Sequence, residues 1–263
     1  MDLGLAGKKA IVCGASRGLG YGAARALAEE GAELLICARS REGLQQAADE
    51  LEAEVGVRPL IQPADLTRPA DRQALADAAV GGLGQVDILV ANAGGPPSGP
   101  FESHPPEHWQ LAVDLALGSV THLCSLLLPG MRSRGFGRIV QIVSVAGLEV
   151  IDGLILSNAS RPAVLGFARA LAREVGGDGV LVNSICPGIF LTQRIRDLAV
   201  ERAARMGISA EAYVEQLGSD IPVGRPGDPR ELGDLAAFLC SPRNTYINGA
   251  TVVIDGGKIR RLY

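Results

Sequence analysis

The run Cys13-Gly14-Ala15-Ser16-Arg17-Gly18-Leu19-Gly20 constrains this chain more than any other stretch. Before it stands a short apolar segment, Lys9-Ala10-Ile11-Val12, which reads as a buried strand. After it, residues 21–30 are alanine-rich and amphipathic and read as a helix. A strand, a glycine-rich turn and a helix start, in that order, present unpaired backbone N–H groups at the positive end of a helix dipole. Glycines remove the Cβ atoms that would hold a phosphate at a distance. The spacing is Gly-x-x-x-Gly-x-Gly, through Gly14, Gly18 and Gly20, and not the commoner Gly-x-Gly-x-x-Gly. The turn is either a cradle for a dinucleotide or a tight connection with no ligand. Its place in the first βα unit favours the cradle, with Ser16, Arg17 and Leu19 as further contact residues.

The next strand end reports on the nucleotide. Glu33-Leu34-Leu35-Ile36-Cys37 reads as a second strand and leads into Ala38-Arg39-Ser40. In a dinucleotide fold, an acid about 20 residues past the glycines takes the ribose 2′-hydroxyl of NAD. Here that place holds Arg39 and Ser40, with Arg17 expected nearby. Two guanidiniums suit a 2′-phosphate, so the expected cofactor is NADP(H); otherwise both arginines are solvated surface charges. Residues 41–54 read as a helix and residues 58–62 as a third strand, followed by Asp65-Leu66. At a strand's carboxyl end, Asp65 can accept from the adenine amino group, or else cap the helix expected near Pro69.

The rest of the chain sets limits. Its 263 residues carry a net charge of −4, which gives no reason to expect nucleic acid. No linker divides the chain, so one domain is expected over residues 1–263. No apolar run looks long enough to span a membrane, and the N-terminus lacks the pattern of a signal peptide. Cys13, Cys37, Cys124, Cys186 and Cys240 are scattered singly, as expected for reduced buried thiols in a cytoplasmic protein. The histidines show no metal-ligand spacing with a cysteine, so no metal is expected.

Residues 86–90 read as a fourth strand running into Asn92-Ala93-Gly94. With the glycine turn, Asp65, Ile139-Val140-Gln141-Ile142-Val143-Ser144, Asn183-Ser184-Ile185-Cys186-Pro187-Gly188 and Val253-Ile254-Asp255-Gly256-Gly257, this resembles the short-chain dehydrogenase/reductase family. The nearest likeness within it is to 3-oxoacyl-acyl-carrier-protein reductases. The resemblance implies a single-domain α/β Rossmann fold, a seven-stranded parallel sheet with helices on both faces, and a homotetramer. It places Asn92, Ala93 and Gly94 at the cofactor. Pro187, Gly188 and Ile189 fall against the nicotinamide, and Thr192 at its carboxamide or the pyrophosphate. Residues 189–220 would form a substrate lid, whose Arg194, Arg196, Arg202 and Arg205 either attract an anionic substrate or carrier or form a solvated face.

The catalytic positions are where the chain departs from the pattern. Ser144, at the end of the fifth strand, matches the serine that polarises the substrate carbonyl, though a serine there can also cap a turn. Asp114, on a long helix expected over residues 106–128, stands where the family has an asparagine in a proton relay; a polar residue at a subunit contact is the other reading. The family's tyrosine and lysine, four residues apart, fall on Ser157 and Arg161. Four residues apart on a helix share a face, so both can look into the site. A tyrosine beside a cation can ionise near working pH, whereas a serine has no such route and an arginine does not lose its proton. Pro162 is expected to kink the first turn of that helix. Glu149, Asp152, His104 and His108 are the nearby substitutes for the missing acid, each more simply read as a solvated loop residue, and Tyr213 is a remote one.

Two functions follow. One is an NADP(H)-dependent oxidoreductase interconverting a carbonyl and an alcohol on a small molecule, acyl-carrier-linked or free, in a homo-oligomer. The other is a catalytically inactive nucleotide-binding protein.

Overall fold

The structure, a computed structural model, describes residues 2–261. Seven strands form one parallel sheet in the order β3-β2-β1-β4-β5-β6-β7. They are β1 (Lys9–Cys13), β2 (Glu33–Ala38), β3 (Leu60–Pro63), β4 (Ile88–Asn92), β5 (Gly137–Ile142), β6 (Val180–Pro187) and β7 (Thr251–Ile254). The helices between them are α1 (Gly18–Glu29), α2 (Arg41–Val55), α3 (Pro69–Leu83), α4 (Pro106–Val113), α5 (Ser119–Ser133), α6 (Ile155–Val175), α7 (Gln193–Met206), α8 (Ala210–Ser219) and α9 (Pro229–Cys240).

Parallel strands covered on both faces need apolar side chains on both, and every residue of β6 is buried. Alternation then sends successive residues to opposite layers. Ile11, Leu35, Leu89, Ile139 and Val182 pack with Leu75 of α3, Leu123 of α5 and Leu171 of α6. Val12, Ile36, Val90, Val140 and Ile185 pack on the other face with Leu27 of α1, Leu44 of α2 and Leu232 of α9. Strand order reverses between β1 and β4, which opens a crevice at their carboxyl ends.

Three expectations change. The helix from Pro106 to Ser133 is, with a mean hydropathy of 1.8 over its most apolar window, long and apolar enough by length and composition to cross a membrane. Its inner face is nevertheless built into the sheet layer through Val120, Leu123, Leu127 and Met131. That helix is interrupted by a π turn over Asp114–Gly118, where the Ser119 N–H bonds to the Asp114 carbonyl. Pro162 lies well inside α6, not in its first turn, and the helix runs through it unbroken. Only the bond that a residue 162 N–H would give to the Asn158 carbonyl is lost.

Candidate active site

The glycine turn is tied down on both sides. Ala15 N–H donates to the Cys37 carbonyl of β2 at 3.0 Å. From β4, Asn92 Nδ2 donates to the carbonyls of Cys13 and Gly14, both at 3.3 Å. Gly14 takes φ +61°, and a Cβ on Gly20 would stand 2.3 Å from the Gly14 carbonyl oxygen. The turn therefore lets α1 start against the backbone of β1 with no side chain between. No acidic residue occupies the first turn of α1, so its free N–H groups face the crevice uncompensated.

At the end of β2, Arg39 and Ser40 are exposed, as is Arg17 across the turn. Ser40 accepts from Gly43 N–H at 3.1 Å and so caps α2, whose first turn lies against Ser16. Neither arginine is in an ion pair among the described residues. Asp65 does not cap α3, whose N-cap is Arg68. It closes a turn by accepting from Thr67 N–H at 3.0 Å and Thr67 Oγ1 at 2.8 Å. Those bonds, with the charge of Arg39, hold its carboxyl below the usual carboxylate range. Leu66 is buried and its carbonyl accepts from Arg72.

Ser144 stands two residues past β5, half-buried. Its Oγ accepts from Ala146 N–H at 3.1 Å, which leaves the hydroxyl hydrogen free to donate outward. Arg161 is 7% exposed and reaches from α6 to the Ala93 carbonyl, Nη2 to O 3.5 Å, while its Nε has no partner. Burial pushes its pKa down from the ordinary arginine value. The loop after Ser144 packs on the same turn, since a Cβ on Gly147 would stand 3.3 Å from Arg161 Cβ. Ser157, one turn earlier, is buried, and its hydroxyl has no hydrogen-bond partner among the described residues.

The remaining walls come from β6 and the segment after it. Gly188 N–H donates to the Ile254 carbonyl at 2.9 Å, and the Ile189 carbonyl accepts from Gly227 at 2.9 Å, so the Pro187–Ile189 stretch is fixed between β7 and α9. Thr192 caps α7 by accepting from Ile195 N–H at 3.4 Å. Its methyl carbon stands 3.4 Å from where a Cβ on Gly18 would be, so the N-cap of α7 lies over the glycine turn.

Residues 14–258 match the family described as enoyl-(acyl carrier protein) reductase. The chain is 35% identical to the 3-oxoacyl-[acyl-carrier-protein] reductase of Vibrio cholerae over 256 residues, 97% of this chain and 98% of the relative. It is 34% identical to the D-beta-hydroxybutyrate dehydrogenase of Cupriavidus necator over 259 residues, covering 96% and 98%. The chain belongs to the short-chain dehydrogenase/reductase family. The crystal structure of L-sorbose reductase from Gluconobacter frateurii, complexed with NADPH and L-sorbose, superposes with a TM-score of 0.96 at 33% identity over 100% of both chains.

Within this short-chain dehydrogenase/reductase the site residues divide. The glycine turn, Asn92, Ala93, Ser144, Arg161 and Thr192 line one crevice. Asp114 sits on the π turn, which packs against α6. Its carboxylate accepts from Gln110 at 3.0 Å and faces Gly118 and the Arg72 guanidinium of α3. Glu149 and Asp152 are exposed loop residues. His104 and His108 pair through their Nδ1 atoms at 3.3 Å, with His104 Nε2 3.3 Å from the Gly99 carbonyl. Tyr213 is on α8, Tyr246 is exposed, and burial pushes Tyr21 up to about 12. All five cysteines are buried and unbridged, and burial raises Cys124 and Cys240 to about 12.

Sequence reasoning missed one neighbour. Arg261 donates to the Leu148 carbonyl at 2.8 Å, so the tail folds back onto the loop after Ser144. Asp255 sets that course by accepting from Gly257 and Ile259 N–H at 2.8 and 2.7 Å. The short basic tail over residues 258–263 reads from its sequence as a subunit contact, and 262 and 263 lie outside the described residues. An open groove of about 700 Å³ along α2, lined by Arg41, Gln45 and Asp49, contains none of the site residues.

Proposed function

We propose that this chain is an NADP(H)-dependent oxidoreductase that interconverts a carbonyl and an alcohol on a small or acyl-carrier-linked substrate. The observation that carries the reading is the buried Arg161 guanidinium, held at the Ala93 carbonyl just past the β4 end that braces the glycine cradle. A buried guanidinium with an unpartnered Nε is costly in an empty scaffold and useful next to ribose hydroxyls and a polarised carbonyl. The cradle fits the cofactor because the N–H groups at the start of α1 have no acidic side chain beside them and the glycines let the backbone approach a pyrophosphate. Gly14, Gly18, Leu19 and Gly20 would hold the pyrophosphate. Ser16, Arg17, Arg39 and Ser40 would hold the 2′-phosphate end, and Asp65 and Leu66 the adenine. Asn92, Ala93, Gly94 and Arg161 would hold the riboses, and Pro187, Gly188, Ile189 and Thr192 the nicotinamide end.

Bound there, the nicotinamide supplies or accepts hydride. The chain's own part is electrostatic. As the carbonyl oxygen gains charge, Ser144 would donate to it, and the fixed positive charge of Arg161 would lower the cost of an alkoxide. Neither Ser157 nor Arg161 releases a proton near neutrality, so the alkoxide takes its proton from water, with the Ser157 hydroxyl as an orienting partner.

The missing tyrosine supports a second reading, a cofactor-binding protein without turnover. One experiment separates them. NADPH fluorescence is titrated first to establish binding, and its decay is then followed against ketones, oxo acids and oxoacyl thioesters. Binding followed by decay with any member supports the oxidoreductase; tight binding with no decay across the panel supports the second reading.

A further inference from the structure

Gln141 of β5 and Ser184 of β6 stand in register on neighbouring strands. Alternation puts Gln141 on the same face as Ile139 and Val143, and Ser184 on the same face as Val182 and Cys186. Those four residues belong to one core layer, with Leu123 of α5 and Val164 of α6. Gln141 is 1% exposed and Ser184 0%. Gln141 Oε1, Gln141 Nε2 and Ser184 Oγ have no hydrogen-bond partner among the described residues. Three polar atoms therefore share one place in the interior with no protein group to pair them.

Their surroundings set them apart. Ala91 of β4 flanks Gln141 on the side away from Ser184, so a small side chain borders the pair. The parallel row two residues earlier on the strands is Leu89, Ile139 and Val182, all buried and apolar. Two residues later, Val143 and Cys186 are buried as well. The next residue on β6 shows the contrast. Asn183, on the opposite face, has both ends of its amide paired within the chain, Nδ2 donating to the Ile247 carbonyl at 2.8 Å and Oδ1 accepting from Ala250 N–H at 3.0 Å.

We propose that Gln141 and Ser184 hold an internal water site between β5 and β6. The site lies three residues short of Ser144 on one strand and of Pro187 on the other. The inference is independent of the oxidoreductase reading.

Energy is the first argument. A buried donor or acceptor left unpaired costs the full desolvation of that group. A domain has too small a margin of stability to carry three of them in one place. Reach is the second. Neighbouring strands lie about 4.8 Å apart. The serine oxygen is one bond from its Cβ and stays near the sheet, whereas the amide atoms are three bonds from theirs and stand farther out. A bridging molecule spans that step. Chemistry is the third. The amide offers N–H donors and a carbonyl, and the hydroxyl both donates and accepts. Water matches this mixed set, because it also gives and takes, and a buried water makes about three hydrogen bonds. An ion of either sign would match only half of it.

A high-resolution crystal structure of the whole chain reads the site directly. Water density should stand about 2.7–3.2 Å from both Gln141 Nε2 and Ser184 Oγ. An amide bonded directly to Ser184 or to a backbone carbonyl, with no water touching both groups, would overturn the proposal. Urea unfolding is the second measurement. Gln141→Met and Ser184→Ala should each lower the urea midpoint, because each strands the polar group left behind. The double variant removes all three polar atoms and should unfold at a midpoint no lower than that of either single variant. Single changes that raise the midpoint, or losses that add up in the double variant, would mean that no shared water joins the two residues.

Discussion

Arg161 reaches the Ala93 carbonyl at 3.5 Å, so α6 is joined to the end of β4 through a positive charge with no acidic partner. This single relationship links the helix of the proposed Ser157–Arg161 pair to the strand end beside the glycine turn and sets stability against the proposed function. Replacing Arg161 by methionine keeps much of the volume and removes a buried charge. The variant should unfold no earlier than wild type, and later by up to about 1 kcal/mol in stability, while NADPH affinity falls roughly tenfold or more. Thermal unfolding without cofactor and an NADPH titration give the two readings. A variant that loses stability and keeps its affinity would show that the guanidinium is structural.

Arg39 and Arg17 decide the nucleotide. Wild type should bind NADPH roughly tenfold or more tightly than NADH, because each charge-assisted bond to the 2′-phosphate contributes about 1.5–3 kcal/mol. Arg39→Ala should bring the two affinities close together by weakening NADPH alone. Equal affinities in wild type would remove the assignment.

The two serines should separate in kinetics. Ser144→Ala should lower kcat by about 10²-fold or more, as loss of a donor to the developing oxyanion does. Ser157→Ala removes one hydrogen bond of about 1 kcal/mol and no acid, so turnover should fall only severalfold. Restoring the family pair with Ser157→Tyr and Arg161→Lys should reduce activity on the native substrate by crowding the crevice. If the double variant reduces simple ketones where wild type reduces nothing, the inactive reading is the correct one.

Acid unfolding should report on Glu231. Arg225 bonds its carboxylate at 2.9 and 2.7 Å, Asp228 N–H adds a third at 2.7 Å, and the pKa falls from 4.5 to about 2. A depressed folded-state pKa gives stability that is fully present above about pH 4.5 and lost as pH falls towards 2. Because the pair is partly exposed, the contribution is ~1 kcal/mol or less. Glu231→Gln should therefore be less stable than wild type at neutral pH, and the gap in urea midpoint should close on acidification. A constant gap down to the acid limit would mean that charge is not its source.

Assembly follows from the helix spanning Pro106 to Ser133. Only 39% of its most apolar window is buried, and Leu111 and Val113 are exposed on it. A homo-oligomer, with a tetramer as the expected form, should appear in light scattering at micromolar protein. A species of 27.3 kDa alone would refute it.

The glycine turn, the two arginines near it and the pair at 157 and 161 were legible in the sequence because each depends on local order. A strand, a turn and a helix start fix where an anion can bind. Four residues on a helix fix a shared face. The apolar strands were legible for the same reason: both faces of a parallel strand are covered, so Ala10–Cys13 is apolar throughout, whereas β6 is buried throughout although Asn183 and Ser184 interrupt its apolar residues.

Asp114 was not legible. Its nearness to Arg72 joins two helices that only the fold brings together, and the π turn that begins at Asp114 has no signature in a 3.6-residue pattern. Arg261 was equally hidden as a neighbour of the loop after Ser144, because its backbone is far in sequence from Leu148. The sequence by itself determined which chemistry each segment carries, since local spacing sets strand, turn and helix face. Only the tertiary structure decided which charges meet, because long arginine side chains reach across elements and their partners are chosen by packing.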